Sequence, residues 1–108
     1  MIITEVVIDK EVNAKVYNKH SIRFKEAKDV LLNKPLVKRT KDGRYMAVNL
    51  VERYVTVIFS YYNGIADIVT AYPSSDWQIK LFKRKRWENG KRNWLWRSKT
   101  KRYWRKGD

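Results

Sequence analysis

The stretch from residue 44 to residue 75, RYMAVNLVERYVTVIFSYYNGIADIVTAYPSS, constrains the fold of this chain most strongly. It holds three runs rich in β-branched and aromatic residues, a composition that suits half-buried strands. Asn63-Gly64 joins the second and third runs, and both residues tolerate the positive φ angles of a tight hairpin turn. The pattern predicts an antiparallel meander that ends at Pro73, because proline has no backbone N–H to donate.

Shorter segments on both sides of the meander predict the remaining elements. We expect an edge strand over residues 2–8, helices over residues 10 to about 18 and 25 to 32, a short strand over residues 36–39, and a last helix over residues 76 to about 87. This order predicts an α+β fold, with helices packed mainly on one face of an antiparallel meander sheet. Within the 108 residues we expect a compact domain over residues 1–86 and a basic C-terminal extension over residues 87–108.

The composition excludes several classes of site and of location. The chain has no cysteine and a single histidine, His20, so a zinc site of the usual nitrogen and sulfur type is close to excluded. Glycine-rich phosphate loops and Ser-His-Asp arrangements are also missing from the sequence, and we expect neither a cofactor nor a metal. The N-terminus does not resemble a secretory signal and no apolar run approaches a membrane span, so we expect a cytoplasmic protein.

The positive charge of the chain is concentrated near its C-terminus. The formal net charge is +14, of which residues 1–79 carry +3 and residues 80–108 carry +11. Such a distribution predicts a polyanionic partner. Nucleic acid ranks first, followed by an acidic protein and an anionic membrane surface, and a merely solubilising tail is the remaining alternative.

Four segments in order resemble the BrnT-like toxins of the RelE/ParE-type ribonuclease group. The first is KHSIRFKEA, which follows the family's K-H-x-I-x-F-x-E-A stretch, and the others are RYMAV, YVTVIF and IVTAYPSS. The resemblance covers roughly residues 9–83. It implies a compact ribonuclease fold, metal-independent cleavage of RNA, and neutralisation by an antitoxin encoded beside the toxin. This sequence has Tyr72 where the family often has arginine, Gln78-Ile79 where it often has Glu-Arg, and Asn49 in place of a common glycine.

Four residues are the candidates for catalysis: His20, Arg44, Thr70 and Tyr72. Metal-independent RNA cleavage needs a base for the 2′-hydroxyl, cations for the phosphorane and an acid for the leaving oxygen. Histidine exchanges protons near neutral pH, so His20 is the candidate base, and a surface histidine that ends a helix is the alternative. Arg44 matches the family and could hold a phosphate. Thr70 and Tyr72 share a sheet face, where Tyr72 could stack on a base, donate a proton, or simply pack as a core or interface tyrosine.

A second set of basic and aromatic residues is the candidate for nucleic-acid binding. Aromatic planes stack on bases while cations follow the phosphates, which is how single-stranded nucleic acid is bound. For the C-terminal extension, RNA or ribosome contact ranks above a packed extension of the core and above an interfacial membrane anchor. The set comprises Arg53, Lys80, Lys83, Arg84, Arg92, Trp94, Trp96, Arg97 and Trp104, although an ordinary turn arginine is the favoured interpretation of Arg53.

Two hypotheses of function follow from the sequence. The first is a metal-independent endoribonuclease toxin that cleaves RNA by attack of the 2′-hydroxyl, with RNA and a cognate antitoxin as partners and the ribosome as a further candidate. The alternative is a non-catalytic nucleic-acid-binding protein on the same fold, with the basic aromatic extension as its main contact.

Overall fold

The computed structural model describes residues 1–85, which form a five-stranded sheet and three helices. The strand order in the sheet is β1-β5-β4-β3-β2. A third helix, α3, begins at residue 76 and its described part runs to residue 85. The other elements, in chain order, are β1 (Glu5–Ile8), α1 (Lys10–His20), α2 (Phe24–Leu32), β2 (Leu36–Arg39), β3 (Tyr45–Leu50), β4 (Tyr54–Tyr62) and β5 (Ile65–Pro73).

The predicted α+β fold with an antiparallel meander is confirmed, with the difference that the complete sheet is mixed. Strands β3 to β5 form the predicted antiparallel meander and β2 extends it, but β1 lies at the edge beside β5 and runs parallel to it. The reason is the connectivity: α1 and α2 carry the chain across the sheet from β1 to β2, and the meander then returns to β1. Three hairpin reversals fix the direction of β5, and that direction happens to be the direction of β1.

The β4–β5 hairpin has the tight turn that its sequence predicted. Asn63 and Gly64 both have positive φ, 49° and 83°, as a two-residue type I′ turn requires. A Cβ on Gly64 would lie 2.7 Å from Oγ1 of Thr4, whose backbone N–H donates to the Gly64 carbonyl at 2.8 Å. Glycine is therefore required here by backbone conformation and by the close approach of the N-terminal segment.

Helices α1 and α2 cover one face of the sheet and enclose the larger core. Buried side chains of both helices, such as Val16 and Val30, pack with Val57 and Phe59 of β4. Complete burial of a side chain such as Phe59 contributes about 1.5–3 kcal/mol. Asp9 begins α1 by accepting a hydrogen bond from the Glu11 N–H at 3.0 Å. α1 ends at His20, two residues later than the sequence pattern predicted.

Helix α3 lies on the opposite face, where Phe82 and Leu81 pack with Met46, Val48 and Ile58. Two of the three described helices cover one face, which confirms the prediction that helices pack mainly on one face. The third lies elsewhere because alternate residues of β3 and β4 are apolar on both faces, so each face needs cover. No helix in residues 1–85 is long and apolar enough to cross a bilayer.

Candidate active site

His20 and Tyr72 meet at one corner of the sheet. Their ring centroids are 6.3 Å apart and the ring planes are tilted by 56°. Strand β1 pairs with β5 only as far as Ile68, so among the described residues no strand pairs with residues 69–73 of β5 on that side. The C-terminal end of α1 packs beside this open edge, and both side chains are half-buried there. The corner therefore presents an imidazole and a phenol together at the surface.

Three features of the two residues that follow His20 hold the backbone at the end of α1. Ser21 ends α1 in the left-handed conformation, with φ 57°, and donates its N–H to the Tyr17 carbonyl at 2.8 Å. Ile22, which follows, is completely buried and anchors the connection between the helices. Nη2 of Arg53 donates to the Ser21 carbonyl at 2.8 Å. The connection between α1 and α2, next to His20, is thus held by the buried Ile22 and by Arg53 of the β3–β4 loop.

The hydroxyl of Tyr72 belongs to a buried hydrogen-bond network centred on Gln78 of α3. Nε2 of Gln78 donates to the Tyr72 oxygen at 3.0 Å and to Sδ of Met46 at 3.3 Å. Oε1 accepts from Oγ1 of Thr56 at 2.9 Å and from the Ser75 backbone N–H at 2.9 Å. The contact with Ser75 is one half of a capping box that begins α3. Gln78 thus joins the start of α3 to the Tyr72 side chain.

The hydrogen bond between Gln78 and Tyr72 joins two positions that differ from the pattern of the BrnT-like toxins. Thr56 lies directly opposite Tyr72 in the β4–β5 ladder, is fully buried, and also bonds to Oγ of Ser74 at 2.7 Å. Tyr72 and Gln78 therefore belong to a cluster of polar side chains that are hydrogen-bonded to one another, as buried polar groups need to be.

Thr70 lies on the same side of β5 as Tyr72, as the sequence predicted from their spacing. Thr70 pairs with Ile58 and Tyr72 with Thr56, both on the side of the sheet that α3 covers. A register shift at Ile58/Phe59 makes Val69 an extra residue in β5. Because of this bulge the side chains of β5 change faces, which brings Thr70 and Tyr72 to the α3 side.

Arg44 lies on the same face but far from the corner. Tyr72 is in register with Thr56 and Val48, and Arg44 precedes Val48 by four residues. Four residues correspond to roughly 13 Å along the strand, and the two strand spacings from β5 to β3 add about 10 Å across the sheet. The Arg44 guanidinium is paired with Asp42 at 3.6 Å. The pKa of Asp42 lies below its ordinary value, mainly because its carboxylate accepts a hydrogen bond from Thr40. The positive charge of Arg44 lowers this pKa further.

Arg53, in contrast, lies at the same end of the sheet as His20. Its Nε and Nη2 donate to the two carboxylate oxygens of Glu26 at 2.9 and 3.1 Å. These hydrogen bonds raise the pKa of the Arg53 guanidinium above its ordinary value. The Nη1 hydrogens have no hydrogen-bond partner among residues 1–85, and the side chain is 41% exposed. Arg53 therefore forms an ion pair with Glu26 and still has N–H groups that could donate to another partner.

The basic residues of α3 are exposed, and one of them contacts an aromatic ring. Nζ of Lys83 lies 5.7 Å from the ring centroid of Tyr54. Lys80 and Arg84 are one helical turn apart, so their side chains neighbour each other on the helix surface. The other predicted nucleic-acid contacts lie outside the described residues: Arg92, Trp94, Trp96, Arg97 and Trp104.

The sequence did not single out Gln78 and Thr56 as parts of this site. The spacing Ser75-x-x-Gln78 is a capping-box signature and could have marked the start of α3. Its extension to Tyr72 depends on where α3 crosses the sheet, which no local pattern gives. Within residues 1–85 there is no group of three or more acidic or histidine side chains that could hold a metal ion.

The fold can be compared with known proteins. The order of elements and the mixed sheet form an α+β fold that is similar to the fold of BrnT. The crystal structure of the ribonuclease toxin BrnT from Brucella abortus matches with a TM-score of 0.56 and 19% identity, covering 67% of this chain and 97% of that one. No protein-family model and no curated protein matches this chain.

Proposed function

We propose that this chain is a metal-independent endoribonuclease and acts as the toxin of a type II toxin–antitoxin pair in the cytoplasm. The observation that carries the proposal is the His20–Tyr72 pair, 6.3 Å between ring centroids, on a fold shared with a ribonuclease toxin. A proton acceptor and a hydroxyl donor side by side are what transfer of a phosphoryl group within RNA needs.

In the proposed reaction the protein's own side chains move two protons. His20 removes the proton of a 2′-hydroxyl, and the 2′-oxygen attacks the adjacent phosphorus. The bond between phosphorus and the 5′-oxygen breaks, and Tyr72 gives its hydroxyl proton to that leaving oxygen. The products are a 2′,3′-cyclic phosphate and a free 5′-hydroxyl, and solvent exchange restores both side chains.

The charge on the phosphorane needs a cation, and Arg53 is the best candidate near this corner. Its contact with the carbonyl of Ser21, the residue that follows His20, holds it at this end of the sheet, and its Nη1 hydrogens are available to a phosphate oxygen. Donors directed at a developing negative charge accelerate acyl transfer by about 100- to 1000-fold. Because Arg44 is far from the corner, it suits contact with the RNA backbone away from the scissile bond. Thr70 suits contact with the part of the RNA that lies between Arg44 and the corner.

Residues outside this corner would bind the rest of the RNA and the antitoxin. Lys80 and Arg84 suit phosphates next to the site, and the basic extension over residues 87–108 suits single-stranded RNA. An antitoxin that covers Arg44 and Tyr72 would block the same face. Competition between RNA and a protein encoded beside this one would support that role, whereas simultaneous binding would contradict it.

The alternative is a nucleic-acid-binding protein without catalysis. The net charge of +11 over residues 80–108 favours it, because this charge alone would give affinity for RNA. Under this alternative the His20–Tyr72 pair has no chemical role, and its replacement leaves RNA binding unchanged.

Cleavage of RNA by the full chain in excess chelator distinguishes the two functions. Wild-type protein should cleave, and His20→Ala should be slower by about 100-fold or more, the usual scale for a general base. Asn18→Ala, an exposed replacement in the same helical turn, is the matched control and should cleave like the wild type. Absence of cleavage by the folded wild type, with retained RNA binding, would favour the alternative.

A further inference from the structure

The orientation of the Gln78 side-chain amide is determined by its neighbours. The Ser75 backbone N–H can only donate, so the amide atom that it meets at 2.9 Å must be the oxygen. Oγ of Ser75, 3.1 Å away, also donates to it. Nε2, with its hydrogens, therefore points at the Tyr72 oxygen. Gln78 is 1% exposed, so water does not compete for this bond.

This orientation decides where the Tyr72 proton points. The phenol oxygen accepts a hydrogen bond from the buried Gln78 amide, so its own hydrogen is directed away from Gln78 and remains available for donation. We propose that Gln78 is a positioning residue that keeps Tyr72 as a proton donor to the leaving 5′-oxygen. The inference rests on the proposed ribonuclease function and adds a residue that acts through Tyr72 without touching the substrate.

Gln78→Glu tests this idea with little change in shape. One carboxylate oxygen can still accept from Ser75 and Thr56, so the capping box is retained. The other oxygen carries no hydrogen, so the Tyr72 hydroxyl must donate to it. The proton then points into the protein instead of towards the substrate. Thr56→Val is the matched control, because it removes the two hydrogen bonds of Thr56 to Gln78 and Ser74 but leaves the contact between Nε2 and Tyr72.

Two substrates separate proton donation from general damage. One is ordinary RNA, and the other carries sulfur in place of the bridging 5′-oxygen, so that the leaving group needs no proton. Gln78→Glu and Tyr72→Phe should cleave ordinary RNA about 100-fold more slowly than wild type. Both should recover most of that loss on the sulfur-containing RNA, whereas His20→Ala should not recover. Thr56→Val should keep the wild-type ratio of the two rates.

Failure of this inference and failure of the proposed function give different results. If Gln78→Glu loses the same factor on both RNAs, Gln78 does not act through proton donation and the inference is wrong. If wild-type protein cleaves neither RNA, the proposed function fails and the catalytic part of the inference fails with it. NMR of the ring ¹³Cζ of Tyr72, identified by its loss in Tyr72→Phe, reports the contact without any activity. A Tyr72 signal that is unchanged in Gln78→Glu at neutral pH would overturn the inference even in an active enzyme.

Discussion

Asn49 should be one of the most sensitive polar positions in the fold. Its side chain is 4% exposed, and Nδ2 donates to the carbonyls of Val30 and Asn33 at 3.2 and 2.8 Å. These carbonyls belong to the end of α2, where the helix itself offers no donors. Oδ1 accepts from the Leu50 N–H at 2.9 Å. Asn49 therefore links the end of α2 to β3. Glycine at this position would leave the two carbonyls and the Leu50 N–H without the side chain that binds them here.

Asn49→Ala should lower the free energy of unfolding by about 3 kcal/mol. Three side-chain hydrogen bonds are lost, two donated by Nδ2 and one accepted by Oδ1, and each is worth about 1 kcal/mol. For a domain of this size the melting temperature should fall by about 10–20 °C. Urea unfolding followed by circular dichroism measures the change, with Asn18→Ala expected within about 0.5 kcal/mol of wild type. A loss below 1 kcal/mol for Asn49→Ala would refute the reasoning.

Three further predictions concern charge. Arg53→Lys should keep most of the stability but slow RNA cleavage at least tenfold, because lysine cannot bind Glu26 bidentately and still offer donors to a phosphate; wild-type rates would exclude Arg53 from the reaction. Thr40→Val should shift the NMR titration of Asp42 to higher pH. The lowered pKa of Asp42 implies that its small contribution to stability is present at neutral pH and lost as the pH falls through that lowered value, so an unchanged titration would contradict the cause given above. Deletion of residues 87–108, which contain eight Lys and Arg, should reduce the slope of log affinity against log salt by roughly 3 if half of them neutralise phosphates; an unchanged slope would remove RNA binding from that segment.

Local patterns predicted the parts of the fold that local physics determines. Alternating apolar residues and Asn63-Gly64 gave the meander and its tightest turn, because both depend on neighbouring residues. The parallel pairing of β1 could not be obtained in this way. It depends on how two helices carry the chain across the sheet, and the sequence of β1 fits either direction.

The candidate site shows the same division. Thr70 and Tyr72 were predicted to share a face from their spacing, whereas the proximity of His20 to Tyr72 was expected only through the family resemblance. Arg44 was predicted to lie around the same face as Tyr72, but its distance from Tyr72 follows from the register of three strands. The bond between Gln78 and Tyr72 depends on where α3 crosses the sheet, so only the structure reveals it.

The chemical ends of the RNA fragments test the central claim most directly. The full chain, incubated with RNA in excess chelator, should release fragments with 2′,3′-cyclic phosphate and 5′-hydroxyl ends, as mass spectrometry can identify. The same fragments should be almost absent with His20→Ala prepared in parallel, which also controls for a contaminating nuclease. Fragments with 3′-hydroxyl and 5′-phosphate ends, or cleavage that stops when the chelator is added, would contradict attack by the 2′-hydroxyl under the control of His20 and Tyr72.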